Sequence, residues 1–196
     1  MTQVFDKDGV AHPATILRVE PAVVTQIKDG GADGYQAVQI AAGAQKAHRV
    51  TKAEQGHLGG AFKFVREFRS RSGRADSVTE HAKGATLDVS VFAVGDTVAV
   101  SAVTKGKGFQ GVVKRHGFHG HPASHGTKDV LRAPGSIGAG GMQRVFKGRR
   151  MAGRMGGERV TVKNLTVLAI DPAANILLIS GAVPGRRGTL VEVRSV

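Results

Sequence analysis

The sequence predicts a mainly β protein: a small closed barrel or sandwich with a short helical insertion, interrupted by a long irregular arm. Three observations carry this. Residues 1–104 and 157–196 contain short β-branched or alternating runs separated by polar turns. Residues 105–155 contain 12 glycines and four histidines, with apolar residues scattered at no sustained period. The formal charge of +13 is concentrated in that same stretch.

The first strands are expected over residues 14–20, 23–28 and 35–41. Asp29-Gly-Gly-Ala-Asp-Gly34 forms a turn cluster between the second and third. Val38 and Ile40 alternate with Gln39, the pattern of a half-buried strand. Residues 44–55 have helix-tolerant composition and end near Gly56, which predicts a short helical insertion within about residues 44–60. Residues 62–68 alternate, with Phe62, Phe64 and Arg66 on one side and Lys63, Val65 and Glu67 on the other. Further strands are expected over 88–92 and 97–104, with Gly95-Asp96 as the turn between them and Val98 and Val100 on one face. After residue 157 the pattern returns over 160–163, 165–170, 175–180 and 191–194. Asp171-Pro172 marks a turn, and 175–180 is apolar on both faces and so is expected to be buried. Closing these strands into a barrel removes sheet edges open to aggregation.

Composition limits the function classes. Apolar residues make up 41% of the chain, enough for a core. There is no cysteine, which removes disulfides, thiolate metal sites and cysteine nucleophiles. No apolar run approaches the roughly 18 residues of a membrane span, and Met1-Thr-Gln-Val-Phe-Asp-Lys-Asp-Gly9 carries acids where a signal peptide carries bases. A cytoplasmic protein with no membrane partner is expected. A pI near 10.8 points to a polyanion. Residues 1–104 hold 12 Lys and Arg against 11 Asp and Glu, and 156–196 hold 5 against 3. Residues 105–155 hold 11 against one, so a quarter of the chain carries +10.

That stretch cannot bury enough apolar surface to offset a backbone ordering cost of roughly 1–2 kcal/mol per residue. It should be mobile alone and ordered by a partner. Its cations can neutralise phosphates and release counterions. Eight such contacts on duplex-like RNA give a log–log salt slope of roughly −7. Lys105-Gly-Lys-Gly108 and Lys147-Gly-Arg-Arg150 pair charge with glycines that let backbone approach phosphate. Phe109, Phe118 and Phe146 are the few aromatics, which favours recognition of RNA shape and backbone over base stacking. On charge alone, a flexible basic linker is the alternative.

Sharper chemical readings fail. Thr104-Lys-Gly-Lys-Gly-Phe-Gln-Gly111 lacks the Gly-Lys-Ser/Thr ending of a nucleotide phosphate loop. His116, His119, His121 and His125 match no common zinc spacing and sit among cations. Ser124, His125 and Asp129 have the types of a catalytic triad, but adjacency in sequence is not triad geometry. One acid in the arm leaves no carboxylate pair. No enzyme, cofactor, metal or small-molecule substrate is expected.

Gly106-Lys-Gly-Phe-Gln-Gly-Val-Val-Lys-Arg-His116, Pro122-Ala-Ser-His-Gly126, Arg132-Ala-Pro-Gly-Ser-Ile-Gly138, Val145-Phe-Lys-Gly148 and Met151-Ala-Gly-Arg-Met-Gly156 follow in order. Met1-Thr-Gln-Val-Phe5, Asp33-Gly-Tyr-Gln-Ala-Val38, Glu158-Arg-Val-Thr-Val162 and Gly181-Ala-Val-Pro-Gly185 flank them. Together they resemble the bacterial-type large ribosomal subunit protein three family over nearly the whole chain. The resemblance implies a translation-type β-barrel split by the arm: residues 1–104, then the arm at 105–156, then 157–196. It implies a structural protein of the large subunit that binds large-subunit ribosomal RNA near its 3′ end and nucleates assembly. The arm would reach toward the peptidyl-transferase centre without doing the chemistry. By this resemblance Lys105, Lys107, Lys114, Arg115 and His116 lie at the RNA-facing base of the arm. Arg132, Lys147, Arg149, Arg150 and Arg154 lie along it, and Gly140, Gly141, Met142, Gln143 and Arg144 form its tip. Ribosomal proteins fourteen and nineteen would be neighbours. An RNA-binding or RNA-chaperone protein outside the ribosome is the alternative.

Two departures stand out. Family members usually carry a further basic, Gly-rich stretch before the equivalent of Met1-Thr-Gln-Val, implying either a start assigned late or a shortened first strand. The tip reads Ala139-Gly-Gly-Met-Gln-Arg144, where relatives often have a Gln-containing stretch ending in Thr-Pro-Gly. Some relatives are methylated on a tip glutamine, which makes Gln143 a methylation candidate.

Overall fold

A computed structural model of the chain describes residues 1–69 and 82–195. It is mainly β. Twelve strands are assigned among the described residues: β1 Thr2–Phe5, β2 Ala11–Arg18, β3 Ala22–Lys28, β4 Ala37–Ala44, β5 Phe62–Arg69, β6 Thr86–Leu87, β7 Thr97–Val103, β8 Phe109–Gln110, β9 Gly153–Arg154, β10 Arg159–Asp171, β11 Ile176–Ser180 and β12 Val191–Ser195. They form a six-stranded sheet in the order β1-β2-β11-β10-β7-β12, a four-stranded sheet in the order β5-β4-β3-β6, and a two-stranded ribbon of β8 and β9. Neither larger order returns to its first strand, so the assigned ladders are open where the sequence predicts a closed barrel. Two edge strands, β5 and β12, nonetheless meet through side chains. Arg66 Nε donates to Glu192 Oε1 at 3.1 Å, and the Arg194 guanidinium lies 4.8 Å from the Phe68 ring centroid.

Burial follows the period of two. Leu177 and Ile179 share a face of β11 and are both fully buried. They sit opposite Leu17 and Thr15 of β2. Val98 and Val100 do the same on β7. A second cluster gathers Val24 and Val38, with Ile27, Ile40, Ala85 and Leu87 against it. The adjacent Val24 and Thr25 are both buried because the β3–β4 register slips between Val24 and Gln26. Thr25 Oγ1 then donates to Gln39 Oε1 at 2.8 Å, so the buried hydroxyl is satisfied.

Four sequence expectations change. Residues 88–92 do not form a strand. Val89–Val91 is a turn of 3-10 helix, its amides bonding back to Asp88 and Val89 with only Val89 buried. The helix is α1, Lys52–Leu58, later than the expected 44–55, because β4 runs to Ala44. Thr51 and Glu54 form a reciprocal capping box that starts it, and Gly59 at φ 69° ends it, so Gly56 lies inside. The runs at 160–163 and 165–170 are one strand, β10, which passes through Asn164 at φ 58°. Finally, β1, which no alternation in the sequence marks, pairs Thr2 to Phe5 with Ala14 to Ala11.

The β3–β4–β5 surface carries one charged cluster. Lys28 Nζ donates to Glu67 Oε2 at 2.9 Å and to the Tyr35 hydroxyl, while the Arg69 guanidinium stacks 3.8 Å from the Tyr35 ring centroid. The hydrogen bonds to Tyr35 and Glu67 push the Lys28 ammonium up to about 12. The same Lys28 bond, seconded by Tyr35, holds the Glu67 carboxyl below its ordinary value of 4.5. The Glu67 contribution is therefore present above pH 4.5 and lost as pH falls through the lower folded value. That of Lys28 is present below 10.5 and lost as pH rises through about 12. Denaturant titrations of Glu67→Gln should show a stability deficit at neutral pH that shrinks as pH falls below 4.5 and through the lower folded value, where the native carboxyl also protonates. A deficit constant with pH would contradict this.

The chain divides into two compact units. The first is Met1–Val100, Val162–Val183 and Glu192–Val196. The second is Ser101–Thr161 and Pro184–Val191.

Candidate nucleic-acid interface

The division into units is also a division of charge. The first unit holds 14 Lys and Arg against 13 Asp and Glu. The second holds the other 14 against only Asp129 and Glu158, a net of +12. Such a unit repels itself and attracts a polyanion.

Its base is the β8–β9 ribbon. Phe109 pairs with Arg154 and Gln110 with Gly153. The Lys107 amide donates to the Met155 carbonyl at 2.9 Å, the Met155 amide to Gly108 at 3.0 Å, and the Thr104 amide to Glu158 at 2.9 Å. Two backbone segments far apart in sequence are thus laced together where the arm begins and ends. Gly156 makes this possible. It has φ 76°, and a Cβ there would run into the Lys105 carbonyl oxygen and lie 3.0 Å from the Lys107 nitrogen. Lys105 and Lys107 precede the ribbon and Arg154 lies within it, all exposed.

A single helical turn follows, α2, Val112–His116, anchored by buried Val112 and closed by Gly117 at φ 71°. Lys114, Arg115 and His116 crowd its last turn, where unbonded carbonyls favour cations. Arg115 Nη1 donates to the Met151 carbonyl at 2.8 Å, and His116 Nε2 reaches the same oxygen at 3.1 Å. A carbonyl only accepts, so the imidazole carries its proton on Nε2. These two side chains tie the outgoing and returning halves of the arm, whereas Lys114 points no bond inward and is exposed.

Further out the backbone holds itself by local bonds. His121 donates to Leu131 at 2.9 Å and Ala133 to Val130 at 3.0 Å. Arg149 Nη2 donates to the Ser136 carbonyl at 2.8 Å, a second cross-tie. Arg132, Lys147, Arg149 and Arg150 are exposed. Gly140–Met142 is a 3-10 turn, Gln143 follows at φ 48°, and the Arg144 guanidinium lies 5.6 Å from the Phe146 ring centroid. Phe109, Met142 and Phe146 are each more than half exposed, which a basic surface tolerates best when a partner covers it. Among the described residues, no three His, Asp or Glu side chains converge as a metal site would require. No described helix is long and apolar enough to cross a membrane.

The structure therefore draws Lys105, Lys107, Arg115, His116 and Arg154 toward one laced base. Arg132, Arg144, Lys147, Arg149 and Arg150 are left along the irregular length. It also adds cations that segment-wise charge counting passes over: Arg159, Arg186 and Arg187 fold into the same unit. The readable signal was Pro184-Gly-Arg-Arg-Gly188, a basic pair between turn formers like Lys147-Gly-Arg-Arg150.

A family model described as Ribosomal protein L3 matches residues 65–175, a span that contains the whole arm. The chain belongs to the ribosomal protein L3 family. Curated relatives agree along its full length. The Large ribosomal subunit protein uL3 of Roseiflexus sp. is 53% identical over 195 residues, covering 99% of this chain and 92% of that one. The protein of the same name from Acidothermus cellulolyticus is 50% identical over 196 residues, 100% of this chain and 88% of that one. That from Herpetosiphon aurantiacus is 46% identical over 194 residues, 98% and 91%. The family that the resemblance implied is thus the one matched. Arg186 and Arg187 lie beyond the L3 model span.

Proposed function

We propose that this chain is a structural constituent of the large ribosomal subunit and holds large-subunit ribosomal RNA through its basic unit. The observation that carries the reading is the confinement of a +12 charge to one compact unit whose shaft cations are exposed. The names of the relatives supply the assembly. Lys105, Lys107, Lys114, Arg115, His116, Arg132, Lys147, Arg149, Arg150 and Arg154 face the RNA, and about eight phosphates are engaged in all. Binding is near the 3′ end of the RNA and early, so the protein nucleates subunit assembly. The arm, residues 105–156, extends toward the peptidyl-transferase centre with Gly140 to Arg144 at its tip. Ribosomal proteins fourteen and nineteen pack beside the strands. Those strands close into a barrel, a reading supported by the Arg66–Glu192 and Arg194–Phe68 contacts between edge strands. Gln143, the tip glutamine, is the residue open to methylation; an intact mass from native ribosomes lacking an added methyl rejects that part.

Sedimentation tests the assignment. The native protein should travel with the large subunit through a high-salt gradient. Recovery mainly in the free-protein fractions would contradict it.

A further inference from the structure

We propose that Arg186 and Arg187 form a second phosphate-binding element that engages the same RNA as the arm. The inference rests on the RNA-binding reading above and extends it to a site outside the arm.

The pair is presented by a built turn. The Thr189 amide donates to the Arg186 carbonyl at 3.1 Å, and the Arg186 amide donates back to Thr189 Oγ1 at 3.1 Å. Gly188 takes the positive φ, 76°, that the third position of such a turn needs. On the other side Gly185, at φ 103°, sits so close that an added Cβ would be 3.0 Å from the Val103 carbonyl oxygen. Val103 ends β7, immediately before the arm departs. The turn therefore lies against the root of the arm within the same compact unit.

Both arginines are exposed, and among the described residues neither makes an ion pair. A solvated arginine pair on a turn is common and by itself says little. Its surroundings weigh against that reading. The remainder of the unit already carries +10 with two acids, so two more cations add self-repulsion that a polyanion offsets. A hydrogen-bonded turn also lowers the ordering cost of presenting the two guanidinium forks, and those forks match phosphate oxygens.

Filter binding of the full chain to a transcript of large-subunit ribosomal RNA, titrated with salt, tests the proposal. Arg186→Ala with Arg187→Ala should make the log–log slope shallower by about 1.8, from about 0.9 per lost phosphate contact. Arg186→Lys with Arg187→Lys should retain the slope. Arg187→Gln alone, which keeps the Arg186–Thr189 bonds, should lose about 0.9. Arg149→Ala with Arg150→Ala is the comparison within the arm and should also lose about 1.8. If the native chain shows no salt-dependent binding, the RNA-binding reading itself fails, and this proposal with it. If the native chain and the Arg149/Arg150 variant behave as expected while the Arg186/Arg187 alanine and Arg187→Gln variants keep the native slope, the second element is overturned and the arm stands.

Discussion

Gly156→Ala should unlace the base of the arm, lowering its local stability by about 2–4 kcal/mol. A left-handed residue with a Cβ costs roughly 1–2 kcal/mol. The rest comes from contact, since that Cβ would meet backbone, the Lys105 carbonyl oxygen and the Lys107 nitrogen, and not a side chain that can swing away. Relief requires the two segments to part, which stretches the Lys107–Met155 and Met155–Gly108 hydrogen bonds. Amide exchange at Lys107 and Met155 reads this directly. Protection there should fall by about 30-fold to 700-fold, at 1.4 kcal/mol per factor of ten. Gly148→Ala is the control, with a similar φ of 80° and nothing within 4 Å of the added atom. It should leave those two amides unchanged. Protection within threefold of native in Gly156→Ala would show that the close approach does not hold the base together.

Deletion of residues 135–149 should separate the arm's contribution from that of the strands. The segment carries Lys147 and Arg149 of the RNA-facing set and no acid, so its loss should make the salt slope on ribosomal RNA shallower by about 1.8. The tip goes with it, and large subunits assembled with the variant should mature poorly. The first compact unit takes no residue from 101–161. Its unfolding transition should therefore survive at nearly the native midpoint. Loss of that transition would mean that strands and arm fold as one piece, against the separation of roles proposed for them.

Much of this was legible in the residues, for identifiable reasons. Val98 and Val100 bury alternate side chains, and the period of two there was written in the sequence. Residues 175–180, apolar on both faces, predict burial on both, yet only Leu177 and Ile179 are fully buried. β1 was not legible. Its side chains are largely exposed, Phe5 at 61%, and backbone pairing to β2 holds it, which leaves no hydrophobic rhythm. Val89 to Val91 misled because β-branched composition suggests a strand, while local bonds to Asp88 and Val89 fold it into a turn. The helix start was available in Thr51-x-x-Glu54, a capping-box spacing that composition alone passes over. The shaft cations stood out because they are contiguous. Arg186 and Arg187 did not, since only the return of the chain to Val103 brings them into the basic unit. The need for glycine at 156 is likewise a contact between residues some fifty apart, which no local pattern records.

The central claim is that the basic unit binds RNA through its phosphates. The most direct measurement is the affinity of the full chain for large-subunit ribosomal RNA across a range of salt. With about eight phosphates engaged, the expected log–log slope is roughly −7. A slope shallower than about −2, equivalent to two or three contacts, would contradict it.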